Sequence, residues 1–191
     1  MIKAINTWAV SVLRYTAGIL SWTKEEICQL DRKTRKMMTM HGMLHPRANV
    51  ARLYLPRDEG GRGLISAEEC IRIEEHGLSD YVKMKDKGFN RLLSAMEKGD
   101  TKHEFKRKSK EEKEKGWKEK VLHGQYPGLV ANTDQGKTFR WIKNGYMKKE
   151  TEGMLTAAQD QALSTRWRKV NIEKREGTTL CRLCTEKDET T

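Results

Sequence analysis

The segment Leu55-Pro56-Arg57-Asp58-Glu59-Gly60-Gly61-Arg62-Gly63-Leu64 constrains this chain more than any other. Three glycines in four positions permit backbone angles and close approaches that side chains would block, so a constrained loop is expected there. It is not a phosphate-cradling nucleotide loop, because it has neither the GxGxxG spacing nor the lysine and hydroxyl of GxxxxGK[ST]. Its arginines, Arg57 and Arg62, have two readings. Their fixed donor forks grip phosphate, or they pair with Asp58 or Glu59 and fix the turn.

Around this loop the pattern is helical. Only 3 prolines, a charged fraction of 34% and a mean hydropathy of -0.83 point to a polar, helix-rich protein rather than a sheet sandwich or a proline-rich disordered chain. Residues 2–20 predict one long helix, or two broken near Gly18, with apolar groups pointing in several directions and hence packed on more than one side. That is unusual for the opening of an independent domain and reads as the downstream part of something larger. Thr23-Lys24-Glu25-Glu26 is a capping-box pattern that opens the next helix, continued by Ile27, Leu30, Thr34, Met37 and Met38. Outward from it, Arg32, Lys33, Arg35 and Lys36 form a basic face, either a solvated surface or a phosphate contact. Pro46 ends or kinks that helix.

Further along, Ser66 and Glu69 offer a second cap, Ile65, Cys70, Ile73, Leu78, Tyr81 and Val82 predict more helix, and Phe89, Leu92, Leu93 and Met96 another segment. Cys28 and Cys70 read as buried small hydrophobes. From Lys102 to Lys120 there are nine basic and five acidic residues, with Phe105 and Trp117 as the large apolar anchors; this is a solvated helix or a linker. Trp141, Ile142, Tyr146 and Met147 predict a small apolar cluster. Glu152 to Lys169 reads as a single helix whose Ala157, Ala158 and Ala162 allow another helix to approach closely.

Charge narrows the partners. Lys+Arg of 38 against Asp+Glu of 27 gives +11, and the excess is spread along the whole chain. A polyanion partner follows naturally, because each neutralised phosphate contributes counterion release. Four cysteines do not make the framework of a small secreted protein, and neither a signal peptide nor a run of 18 apolar residues is present, so an intracellular, reduced setting and no membrane are expected.

Reactive groups add little chemistry. Cys181-Arg182-Leu183-Cys184 can place two thiolates on one zinc, but a structural zinc site takes four ligands and no His or Cys follows Cys184 in the sequence. Zinc is therefore expected only if His123, 58 residues earlier, or another chain completes the set. His41 and His45 lack the HExxH pattern and read as local structural or phosphate-facing groups. Adjacent acids are explained by exposed helix faces or turns, and no GxSxG elbow frames a nucleophile. No catalytic residue is expected.

The ordered series of motifs resembles the region downstream of the catalytic palm in non-LTR retrotransposon reverse transcriptases. It runs through Ala4-Ile5-Asn6-Thr7-Trp8-Ala9-Val10, Arg14-Tyr15, Leu30-Asp31-Arg32-Lys33-Thr34-Arg35, His45-Pro46, Arg52-Leu53-Tyr54-Leu55-Pro56-Arg57 and Gly60-Gly61-Arg62-Gly63-Leu64. Glu150-Thr151-Glu152-Gly153, Ala158-Gln159-Asp160-Gln161-Ala162-Leu163 and Cys181-Arg182-Leu183-Cys184 are similar to the same family's linker and knuckle region. The resemblance implies a mainly α-helical chain: a thumb-like region over 1–98, a charged helix or linker over 99–120, a small helical linker region over 121–178 and a truncated zinc-knuckle-like tail over 179–191. It also implies the handling of template RNA and primer, as RNA, DNA or an RNA-DNA hybrid, and residence in the nucleus. Arg32, Lys33, Arg35, Lys36, Arg57 and Arg62 would be the phosphate contacts, and Cys181 and Cys184 the opening half of a metal site. The chain contains no adjacent Asp-Asp pair and none of the finger-palm pattern, so the likeness implies ancestry without polymerase activity. The rival expectation is a structural remnant whose exposed helix faces bind another protein or self-associate.

Overall fold

The structure, a computed structural model, describes residues 1–85 and 100–190 and is mainly α-helical; no β-sheet occurs among the described residues. The expected segment Phe89–Met96 and the expected boundary at residue 98 lie outside the described residues. The chain opens with α1 (Ile2–Ala4), a π-helical segment (Ile5–Ala9) and α2 (Val10–Thr16) in one run, followed by α3 (Lys24–Met40), α4 (Val50–Tyr54), a short 3-10 turn (Arg57–Glu59) and α5 (Ala67–Lys85). After it come α6 (Lys102–Lys118), α7 (Gln125–Val130), α8 (Gln135–Thr138), α9 (Arg140–Asn144), α10 (Lys149–Gln159) and α11 (Arg166–Asn171).

Local signals set the longer helices. At α3 the Thr23 hydroxyl accepts from the Glu26 N–H while the Glu26 carboxylate accepts from the Thr23 N–H at 3.0 Å, so the capping box closes both ways. Thr101 and Glu104 repeat the device at α6, which folds as a helix with Trp117 buried and a charged outer side. The α3 face of Ile27 and Met38 turns inward, joining Ala17, Ala67 and Ile71 at one end and Met43, Leu44, Leu53 and Leu64 at the other. Cys28 is one residue, or about 100°, around from Ile27 and so is exposed, contrary to the expectation from sequence; Cys70 is buried as expected.

The opening helix departs further. It stops at Thr16, and the chain turns at Gly18, as the glycine signalled. Yet only one side of it packs: Val10 is buried, whereas Trp8, Val12, Tyr15 and Ile19 stand out in solvent. Trp8, Val12 and Tyr15 lie at i, i+4 and i+7, a single stripe of the helix, with Ile19 exposed in the turn beyond it, and nothing among the described residues covers them. In the π-helical turn, Asn6 donates to the Gly63 carbonyl at 2.7 Å and accepts from the Ile65 N–H at 3.1 Å. One amide thus pairs with the extended chain after the glycine loop much as a neighbouring strand would.

The span Glu152–Lys169 is two helices rather than one. Gln161 takes a left-handed φ of 51°, and the N–H groups of Gln161 and Ala162 fold back to the carbonyls of Ala158 and Ala157, each at 2.8 Å. This is a Schellman-type stop. Tyr146, expected in an apolar cluster, is exposed, while Ile142 from the same cluster is fully buried.

Candidate nucleic-acid interface

The glycine loop is closed by its own backbone, with the N–H groups of Gly61, Arg62 and Gly63 on the carbonyls of Pro56, Arg52 and Leu55, and it packs against the carboxyl half of the chain. A Cβ on Gly61 would lie 2.1 Å from the Leu55 carbonyl oxygen, and one on Gly153 would lie 2.5 Å from that of Met43. Both approaches require glycine, and the second lets α10 settle against the loop that follows α3. Two charged nodes then join α10 to the segment 49–64.

In the first node Arg52, 1% exposed, meets Asp160 at 2.8 Å. Its Nε donates to the Gly60 carbonyl at 2.9 Å, its Nη1 also to the Thr156 carbonyl at 3.1 Å and its Nη2 to Gln159 at 2.5 Å. The guanidinium lies 4.6 Å from the Trp117 ring centroid and 5.2 Å from that of Tyr126. Asp160 in turn accepts from Trp117 Nε1 at 3.1 Å and from the Asn49 N–H at 3.2 Å. Desolvating two charges costs several kcal/mol each, and it is tolerated here because almost every donor and lone pair has a partner.

The second node sits toward the other end of α10, at Glu152. Arg57 approaches it as a fork, Nη2 at 2.6 Å and Nη1 at 3.1 Å, and donates its Nε to the Ile142 carbonyl at 2.6 Å. Arg62 Nε reaches Glu152 at 3.1 Å and its Nη1 donates to the Met43 carbonyl. Burial alone pushes the Glu152 carboxyl up, but the hydrogen bond from Arg57 and the charges of both arginines outweigh it and hold the group below its ordinary value. Burial lowers Arg62, which remains charged at neutral pH. The arginines therefore do pair with a carboxylate, though with neither Asp58, which is exposed, nor Glu59, which pairs with Lys110 at 2.5 Å.

Arg62 is 3% exposed and its donors face the interior, so no ligand on the surface reaches it. Arg57 is 28% exposed and opens onto a cavity of about 530 Å³. The cavity walls also bring together Lys3 from α1, Lys143 from α9 and Lys149 from α10, with the amides of Asn6 and Asn144. Five basic side chains thus face one carboxylate, Glu152, which is already forked by two of them. Lys3 and Lys143 have no ion pair among the described residues. Sequence reasoning missed these three lysines because each comes from a different element. A signal did exist for their anchor: Glu152 and Asp160 lie eight residues apart on the same stripe as Gly153 and Ala157, where an acid implies a buried cation.

On α3 the expected basic face divides. Arg32, Lys33 and Lys36 are exposed and, among the described residues, make no hydrogen bond or ion pair. Arg35 is half-buried and donates to the Tyr54 hydroxyl at 2.8 Å.

At the carboxyl end the Cys-x-x-Cys turn is formed. The Cys181 N–H donates to the Lys187 carbonyl at 2.6 Å, the Leu183 N–H points at the Cys181 sulfur at 3.4 Å, and Thr185 takes a φ of 58°. Backbone N–H groups of Glu186 and Lys187 lower the Cys184 thiol below its ordinary value, which suits a thiolate ligand. His123 does not join the pair: no group of three or more metal-binding side chains occurs among the described residues. Its imidazole is instead half-buried, and burial lowers its pKa.

No family model, curated protein or solved structure matches the chain.

Proposed function

We propose that this chain is a noncatalytic nucleic-acid-binding fragment derived from a non-LTR retrotransposon reverse transcriptase, contacting the phosphate backbone of a template-primer or of other RNA or DNA. The observation that carries the reading is the cavity in which Lys3, Lys143 and Lys149 gather beside the Arg57–Glu152 pair. The three lysines are exposed and converge from three elements, so they offer a patch of positive potential that phosphate groups can meet. Arg32, Lys33 and Lys36 extend the positive surface along α3. On this reading 1–98 is the thumb-like part, and Cys181 and Cys184 supply half of a zinc site completed by another chain.

The test is the affinity of the folded protein for a short RNA-DNA hybrid and its matched single strands, across a salt series with and without zinc. Saturable binding that weakens steadily as salt rises is expected. Absent binding at low salt defeats the reading.

One observation favours a second reading, that of a protein-interaction or self-associating remnant: the bare stripe of Trp8, Val12 and Tyr15, with Ile19 exposed just beyond it. Sedimentation of the wild type and of Trp8→Glu separates the two. A concentration-dependent oligomer lost in the variant, together with no nucleic-acid binding, would make this second reading the better one.

A further inference from the structure

A second cavity, of about 370 Å³, lies between α2, the extended chain after the glycine loop, α5 and α6. It is within the size range of small-molecule sites. Its inner wall is apolar: Leu64 and Cys70 are buried at its base, with Ile65 and Ile73 beside them. The backbone along that wall offers no free donor, since the N–H groups of Gly63, Leu64 and Ile65 bond to the Leu55 carbonyl, the Leu53 carbonyl and Asn6. The Cys70 thiol is turned to the Val10 carbonyl at 3.7 Å.

The mouth has the opposite character. Lys106, Lys110 and Lys113 stand at i, i+4 and i+7 on α6, one face of the helix, and Arg14 stands across from them on α2. Lys113 pairs with Glu69 at 2.6 Å, Lys110 with Glu59 at 2.5 Å and Arg14 with Glu74 at 3.3 Å. Lys106 is exposed and has no partner among the described residues.

We propose that this cavity binds a small amphipathic carboxylate, with its apolar body against Leu64, Ile65, Cys70 and Ile73 and its charged head on Lys106. With the N–H groups of Gly63, Leu64 and Ile65 already bonded, this wall favours an apolar body over one that carries acceptors, because a buried acceptor without a donor loses its hydration for nothing. The surplus cation at the rim selects an anion over a neutral chain. This site is separate from the phosphate-facing cavity and does not depend on it.

The experiment follows the isoleucine methyl resonances of the full chain, assigned through Ile65→Val and Ile73→Val, during titration with decanoate below its micelle concentration. Saturable shifts confined to Ile65, Ile73 and their neighbours are expected, with acetate giving none and decan-1-ol binding more weakly. Lys106→Glu alters an exposed, unpaired side chain, leaves the thermal melt unchanged and weakens decanoate by roughly tenfold. Shifts that fail to saturate, that centre on Ile19 beside the bare stripe, or that persist undiminished in Lys106→Glu would overturn the proposal.

Discussion

Two sets of basic residues look alike in the sequence and end in opposite environments. Arg52, Arg57 and Arg62 flank the glycine loop and turn toward α10, where Asp160 and Glu152 take them up. Arg32, Lys33 and Lys36 on α3, with Lys3 and Lys143 around the cavity, meet no carboxylate among the described residues. The inner set joins the glycine loop to α10, and the outer set is unpaired among the described residues, as the proposed phosphate binding requires. What separates them is the presence of an acid on a facing helix stripe, and arginine supplies the inner set because its planar fork can satisfy several acceptors at once.

The largest expected effect comes from breaking the inner set. Asp160→Ala leaves the Arg52 charge buried and strips acceptors from Trp117 and Asn49, and should cost about 3–5 kcal/mol in urea denaturation. A loss under about 1 kcal/mol would erase the contrast between the sets.

Glu152→Gln comes next, with a pH signature. The folded carboxyl lies below its unfolded value, so the stability it contributes is complete above the ordinary carboxylate range and is lost as pH falls through the lowered folded pKa. Wild type should therefore lose stability on acidification below about pH 4.3 more steeply than the glutamine variant, which starts lower at neutral pH. Parallel acid limbs in the two proteins would contradict the role given to Arg57 and Arg62.

A glycine change sharpens the same point. Gly153→Ala places a methyl group against the Met43 carbonyl, and should cost about 1–3 kcal/mol by forcing α10 away from the loop that follows α3. A thermal melt checks it, and an unchanged midpoint would mean that α10 is not seated closely. The smallest effect on stability belongs to the outer set: Arg32→Glu, Lys33→Glu and Lys36→Glu together should move stability by no more than about 0.5 kcal/mol per site while weakening hybrid binding.

The legible part of this fold was local. The capping box at Thr23 and the turn at Gly18 are written within a few residues and formed as read. The stop after Gln159 carries no such local signal, because the left-handed position at its end is filled by Gln161 rather than by glycine. The fate of the loop arginines was open for a different reason: Arg62 meets its carboxylate 90 residues away, and spacing in sequence says nothing of such a pairing. The lysine cavity was invisible because Lys3, Lys143 and Lys149 share no motif, only a place where three elements meet. The apolar pattern of the first helix predicts packing on more than one side, yet Trp8 and Tyr15 stand exposed, because no described element covers that side.

The most direct test of the division between inner and outer cations is the salt dependence of hybrid binding by wild type and by a Lys3→Gln, Lys143→Gln, Lys149→Gln variant. An unchanged melting temperature is expected, with a slope of log affinity against log salt that is shallower by about one for each phosphate contact removed. An identical slope in the two proteins, with the variant still folded, would show that the cavity does not meet phosphate and would contradict that division.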